Sequence, residues 1–282
     1  MNTINKLYQT SKDLPNSPTM PILFLGHGSP MNAIEENQFV DGFRKIALSL
    51  PRPAAILCIS AHWYTHGTKV TAMEMPRTIH DFGGFPKALF EVQYPAKGSP
   101  KLAKETKDLL LPNLVELDEN WGLDHGAWSV IKHLYPAANI PVIQMSIDYS
   151  KPAQFHFDLA KQLSALRNKG ILIIGSGNII HNLGLVDFPN FNKEDYGYDW
   201  AIEARETING FLLSGNYEPL IQYEKQSKAL QLAIPTPEHY LPLIYTLGLH
   251  QSSESLKLFN DKLLAGSLSM TSVIIGGYNP PK

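Results

Sequence analysis

The sequence predicts a single-domain α/β fold with a central, largely parallel or mixed sheet flanked by helices. Two observations carry that expectation. Continuous apolar runs of strand length recur along the chain, as strands covered on both faces require. Segments with apolar residues at helical spacing alternate with them. The 282 residues, 44% hydrophobic and 18% charged, suffice for one sizeable core.

Taken in order, residues 1–19 are polar, hold two prolines and show no period, so they read as an arm ahead of a catalytic domain over 20–282. Strands are expected at Ile22–Leu25, Ala54–Ile59, Val142–Ile147, Ile171–Ile174 and Val273–Ile275. Helices are expected at Phe39–Ser49, Pro100–Leu111, Pro152–Arg167 and Trp200–Leu213, where Pro, Ser or Gly punctuate the ends. A further helix should start near Glu238, and another should follow a loop that holds His125 beyond the charged stretch Glu116–Asn120. No internal repeat or low-complexity linker marks a second domain.

Net charge is −2 with scattered Lys and Arg, which argues against a nucleic-acid partner. No apolar run reaches the roughly 18 residues of a membrane span, and the first twenty residues lack a signal-peptide centre. A cytoplasmic location and no membrane partner are therefore expected. The single cysteine, Cys58, lies in the apolar run AAILCIS and reads as a buried structural thiol. Within the chain it has no disulfide partner.

Four histidines draw attention. His27 sits between Gly26 and Gly28 just past one strand, His62 past the end of the next, and His181 after the strand and turn ILIIGSGNII. Ligands of open α/β sheets bind beyond the carboxyl ends of the strands, so three strands can deliver these imidazoles to one crevice. His239, in IPTPEHYLPLIY, can face the same crevice from a proline-fixed loop. The gaps of 35, 119 and 58 residues fit no local zinc-finger spacing, and a dispersed site of neutral imidazoles suits a catalytic metal. His125, in WGLDHGAWS, reads alone as a loop residue capping a helix, and His66, His80, His133, His156 and His250 read as surface residues. GSGN at 175–178 lacks the fuller dinucleotide pattern, and Ser176 lacks the hydrolase elbow. Trp63, Trp121 and Trp128 beside the histidines either pack the core or wall an apolar pocket.

Five motifs, GHGSPMNA at 26–33, SAHW at 60–63, DHGAW at 124–128, GSGNIIHNL at 175–183 and PTPEHYLPL at 235–243, resemble in content and order those of the DOPA-type extradiol ring-cleavage dioxygenases, in the superfamily of protocatechuate 4,5-dioxygenase. The resemblance runs from Pro21 to Tyr278. It implies one non-haem metal at the sheet edge, and cleavage by O2 of a DOPA-like catechol ring beside, rather than between, its hydroxyls. It maps His27, His62 and His239 onto metal ligands, His181 onto an acid/base or additional ligand, and His125 onto a position beside the substrate. Many relatives complete a two-histidine, one-carboxylate triad. Here His239 stands at the third position with Glu238 next to it, so three histidines or a site using Glu238 are both open, with His239 preferred because neighbouring side chains point apart. Fe(II) is expected for turnover, while four imidazoles would also satisfy Zn(II). The partners implied are a small catechol and O2. Other readings of the same residues are a zinc-dependent hydrolase, whose three neutral ligands would activate water, and a non-catalytic metal-binding interaction protein.

Overall fold

Residues 19–191 and 193–277 are described by a computed structural model. Its strands are β1 (Ile22–Gly26), β2 (Ala55–Thr65), β3 (Thr68–Thr71), β4 (Val115–Asp118), β5 (Val142–Asp148), β6 (Ile171–Gly177), β7 (Leu256–Phe259), β8 (Leu263–Leu264), β9 (Leu268–Ser269) and β10 (Ser272–Ile275). Eight form one mixed sheet in the order β4-β3-β5-β2-β6-β1-β10-β7, with β8 and β9 paired apart. The central β5, β2, β6 and β1 are parallel, while β10 joins β1 and β3 joins β5 antiparallel.

Helices follow as α1 (Gln38–Ser49), α2 (Lys87–Phe90), α3 (Pro100–Leu109), α4 (His125–Leu134), α5 (Ala153–Gln162), α6 (Ser164–Arg167), α7 (Asp199–Ser214), α8 (Glu218–Ile221), α9 (Lys228–Ala233) and α10 (Leu241–Gly248). Alternate strand residues divide between two cores. Ile22, Phe24, Leu57, Ile59, Ile171 and Ile173 pack with α5, α7 and α10 on one face. Leu23, Leu25, Ile56, Cys58, Leu172 and Ile174 pack with α1 and α4 on the other. Burial on both faces explains why these strands read as unbroken apolar runs.

The arm expected at 1–19 lies outside the described residues except for Thr19, which is exposed and donates through Oγ1 to Asn168 Oδ1 at 2.9 Å. Met20 is buried, and its N–H donates to the Arg167 carbonyl at 3.1 Å.

Several local expectations are corrected. The charged stretch Glu116–Asn120 overlaps β4, which was not anticipated, and neither were β3 and β7; all three are short and carry polar or exposed residues, so they lack the apolar run used to find strands. Pro152–Arg167 divides at Leu163, whose N–H turns back to the Ala160 carbonyl at 2.9 Å. His133 and His156 are buried, not surface residues. Each lies on the inward side of its helix, His133 donating through Nε2 to the Asn32 carbonyl at 2.7 Å and His156 paired through Nδ1 with Tyr245 Oη at 2.9 Å. Cys58 is buried as expected, which pushes its thiol well above the usual range, with the Asp124 charge adding to the effect.

Candidate metal centre

The parallel register sets the site. Gly26 pairs with Gly177 and Ser60 with Ser176, so β1, β2 and β6 end their ladders side by side. His27 adds one more rung, its N–H donating to the Gly177 carbonyl at 3.0 Å. Its Nδ1 lies 3.0 Å from Ser176 Oγ, and that hydroxyl donates to the Gly126 carbonyl at 2.5 Å. Ser176 has one proton and has given it away, so it accepts from His27 Nδ1–H. Nε2 of His27 is thereby left with its lone pair, facing His62 Nε2 at 3.2 Å.

His62 was expected past the end of its strand and instead lies inside β2. Between Ile59 and Tyr64, β2 advances five residues while β5 advances two. A bulge of this kind lifts residues out of the ladder and re-aims their side chains. That is how a mid-strand histidine enters the crevice.

His125 is the first residue of α4 rather than a loop residue, and the cap is Asp124. The buried Asp124 carboxylate accepts from Ala127 N–H at 3.0 Å, Ser60 Oγ at 2.7 Å and Gln144 Nε2 at 2.7 Å, and so ties the start of α4 to β2 and β5. Burial and the charge of Asp81 raise its pKa, opposed by the bonds from Ser60 and Gln144. At Gly126 a Cβ would stand 2.8 Å from His62 Cδ2, so glycine permits the His125 ring to lie 3.9 Å, centroid to centroid, from that of His62. The D-H-G sequence is thus a cap, an imidazole and a point of close approach.

His239 lies in a turn, and the helix expected near Glu238 starts at Leu241. Pro242 is tolerated only in a first turn, which fixes that start. The ring of His239 is 5.3 Å from that of His27 and 5.0 Å from that of His62, and its Nδ1 meets Glu238 Oε1 at 3.2 Å. Asn178 N–H donates to the His239 carbonyl at 2.9 Å. His181, beyond β6, donates its N–H to the Ala233 carbonyl at 2.9 Å, and its ring stacks on His239 at 3.6 Å with 12° between planes.

The electrostatics favour neutral imidazoles. Burial first, then the rings of His62, His239, His125 and His181, hold the His27 pKa well below the usual range. Burial, His125 and His239 bring His62 down to about 2 against the opposing charge of Asp81. Burial and His239 bring His181 to about 3, with Glu238 opposing. Burial pushes Glu238 up, yet bonds from His239 and Thr236 outweigh it and hold the carboxylate at about 2. Protons therefore compete weakly for these nitrogens near neutral pH.

Such a donor set fits a metal ion. Candidate ligand atoms of His27, His62 and His125 lie within 4.8 Å of one another, as do those of His181, Glu238 and His239. Two nitrogens bound about 2.05 Å from one tetrahedral ion stand roughly 3.3 Å apart. The 3.2 Å between the facing Nε2 atoms matches that spacing. His27 and His239 each have an oxygen at Nδ1, the outer contact that orients a metal-binding histidine.

All five singled-out histidines come together. Sequence reasoning missed Asp81, whose carboxylate lies beside both His62 and His125, and gave Ser176 no role at the centre. The usable signal was chemical: every inward imidazole needs an outer acceptor. Trp128 packs in the core and the buried Trp63 stacks on the half-buried Trp121, whereas the half-buried Phe82 stands edge-on to His125 at 5.4 Å.

Gly177 has a testable part in this geometry. A Cβ there would lie 2.1 Å from the His239 carbonyl oxygen, a backbone contact that no rotamer relieves. Gly177→Ala is expected to cost about 1–3 kcal/mol and to weaken metal binding by pushing the His239 turn off β6. Thermal melts of the metal-free protein and a zinc titration check this. An unchanged melt with unchanged affinity would show that the turn is not held against the strand.

Residues 20–271 match the family described as the catalytic LigB subunit of aromatic ring-opening dioxygenase. A protein of Escherichia coli K12 named 4,5-DOPA dioxygenase extradiol is 49% identical over 270 residues, covering 94% of this chain and 98% of its own length. One of the same name from Beta vulgaris is 35% identical, covering 88% and 94%. A crystal structure of an uncharacterized Escherichia coli K12 protein superposes with a TM-score of 0.79 at 44% identity, covering 91% of this chain and all of that one.

Proposed function

The chain belongs to the LigB family of aromatic ring-opening dioxygenases and is a ring-cleaving extradiol dioxygenase, and from that premise we propose that it opens a DOPA-like catechol by 4,5-cleavage, with His27, His62 and His239 holding the metal. The observation that carries this reading is the pair of Nε2 atoms 3.2 Å apart, with His239 alongside and Glu238 at its Nδ1. The site binds a metal; Fe(II) is proposed for turnover, and Zn(II) is accepted by the same nitrogens. When bound, Fe(II) supplies the electron transfer that lets a catechol react with O2.

The remaining side chains handle protons and orientation. His181 is proposed as the acid/base rather than a ligand beside His239. In-plane lone pairs of two stacked rings run parallel and do not converge on one ion, which supports that role. Neutral His181 takes a hydroxyl proton from the substrate and returns it to the opened product. The negative charge that develops on the catechol offsets the burial that otherwise disfavours its imidazolium. His125 is proposed to hold a catechol oxygen, with Phe82 against the aromatic ring. Among the described residues no helix is long and apolar enough to cross a membrane. We place the enzyme in the cytoplasm, where Fe(II) is kept reduced.

Anaerobic reconstitution with Fe(II), followed by oxygen uptake across a panel of catechols including DOPA, tests the proposal. One O2 consumed per catechol is expected, with both oxygen atoms in a ring-opened product by mass. An intact ring after prolonged incubation would overturn it.

His125→Gln separates substrate contact from packing. Because Asp124 supplies the cap, the variant should keep its fold, iron and melting temperature. It should lose at least about tenfold in turnover and change its pH dependence, since an imidazole nitrogen can accept the proton of a catechol hydroxyl and an amide cannot. Iron content, melting temperature and a pH–rate profile on one preparation decide it. Normal rate and profile at full iron occupancy would remove His125 from the mechanism.

A further inference from the structure

Asp81 stands between a proposed metal ligand and the proposed substrate-facing histidine. Its side chain, 18% exposed on a residue whose backbone is open to solvent, places Oδ2 3.5 Å from His62 Nδ1 and Oδ1 3.0 Å from His125 Nδ1. Oδ1 also accepts the His125 backbone N–H at 2.9 Å. The buried Nδ1 of His125 has no aligned hydrogen-bond partner, so a small ring rotation toward Asp81 is what would satisfy it.

The segment carrying Asp81 is anchored independently of these contacts. Ile79 N–H donates to the Leu123 carbonyl at 2.7 Å, Leu123 N–H donates to the Arg77 carbonyl at 2.9 Å, and Trp128 Nε1 donates to the Ile79 carbonyl at 2.8 Å. The backbone leading into Asp81 is therefore tied to α4 and the residues before it, with no metal or substrate needed. Two carboxylate oxygens can accept from two imidazoles at once. An asparagine offers one acceptor and turns a donor toward the second ring.

We propose that Asp81 is a shared positioning residue, holding Nδ1–H of both His62 and His125 so that the Nε2 atoms of both point into the centre. The inference rests on the reading of His62 as ligand and His125 as the group facing substrate. One carboxylate then sets both metal affinity and substrate orientation, acting through the two imidazoles.

The test begins on unaltered, zinc-loaded protein without catechol. Histidine 15N spectra should show His62 and His125 both protonated at Nδ1; a proton on Nε2 of either ring would overturn the proposal. Asp81→Asn should then weaken zinc binding about 10–100-fold by chelator competition, the usual effect of losing an outer-sphere partner. Per bound iron, Asp81→Asn should also lower turnover. In a His125→Gln background it should still weaken zinc binding but lower turnover per iron no further. Unchanged zinc affinity, or an equal loss of turnover in both backgrounds, would overturn the shared role. The spectra and zinc affinities stand whether or not a catechol is cleaved, so a failed dioxygenase assay leaves this result separate.

Discussion

His62→Ala is expected to strip the metal from the protein, and His27→Ala to do the same. Losing an outer-sphere partner typically costs a metal site about 10–100-fold in affinity, and removing a ligand exceeds that. Affinity should fall by more than about 100-fold in either variant, and turnover should disappear with the metal. The two variants differ in what they leave behind. His27→Ala abandons Ser176 Oγ, which still has the Gly126 carbonyl as its acceptor, so the fold should survive. His62→Ala frees a residue on a bulge, where no ladder bond depends on the side chain. Metal analysis after dialysis checks both, with circular dichroism to confirm folding. Wild-type occupancy in both would refute the ligand assignment.

His181→Ala is expected to separate chemistry from metal binding. General acid–base groups typically contribute 10²–10⁴-fold, so turnover should fall by about a hundredfold or more. Iron should remain, because the proposed ligands and their outer partners are untouched. The stacked partner, His239, is held through Nδ1 by Glu238 and through its carbonyl by Asn178 and should keep its place. Iron content and single-turnover rates measured together decide the matter. Complete loss of iron would instead make His181 an essential ligand.

Much of this arrangement was legible in the sequence because it depends on strand-end chemistry. His27 is delivered where β1 ends, and Gly26 and Gly28 flank it because the backbone and side chain of Met270 pass within 2.7 Å and 2.4 Å of where their Cβ atoms would stand. His62 was found for a partly wrong reason. Its strand runs on to Thr65, and a bulge that no hydropathy pattern reveals turns the ring inward. Asp81 was invisible because it lies 19 residues from His62 and 44 from His125, and nothing local marks a carboxylate that serves distant rings. The buried His133 and His156 were misread because one polar residue on a helix does not reveal which face it occupies. Their partners, the Asn32 carbonyl and Tyr245 Oη, come from elsewhere in the chain.

The division of the proposed ligands between sheet and turn has a kinetic consequence. His27 and His62 ride on parallel strands buried on both faces, whose amides should be among the slowest to exchange with solvent, because releasing them requires the sheet itself to open. His239 sits in the turn before α10, its carbonyl accepting from Asn178 N–H just beyond β6. Local unfolding draws on the least stable segments first. Escape of a bound ion is therefore expected to follow the lifting of residues 235–239, with the two strand-borne nitrogens keeping their places for its return.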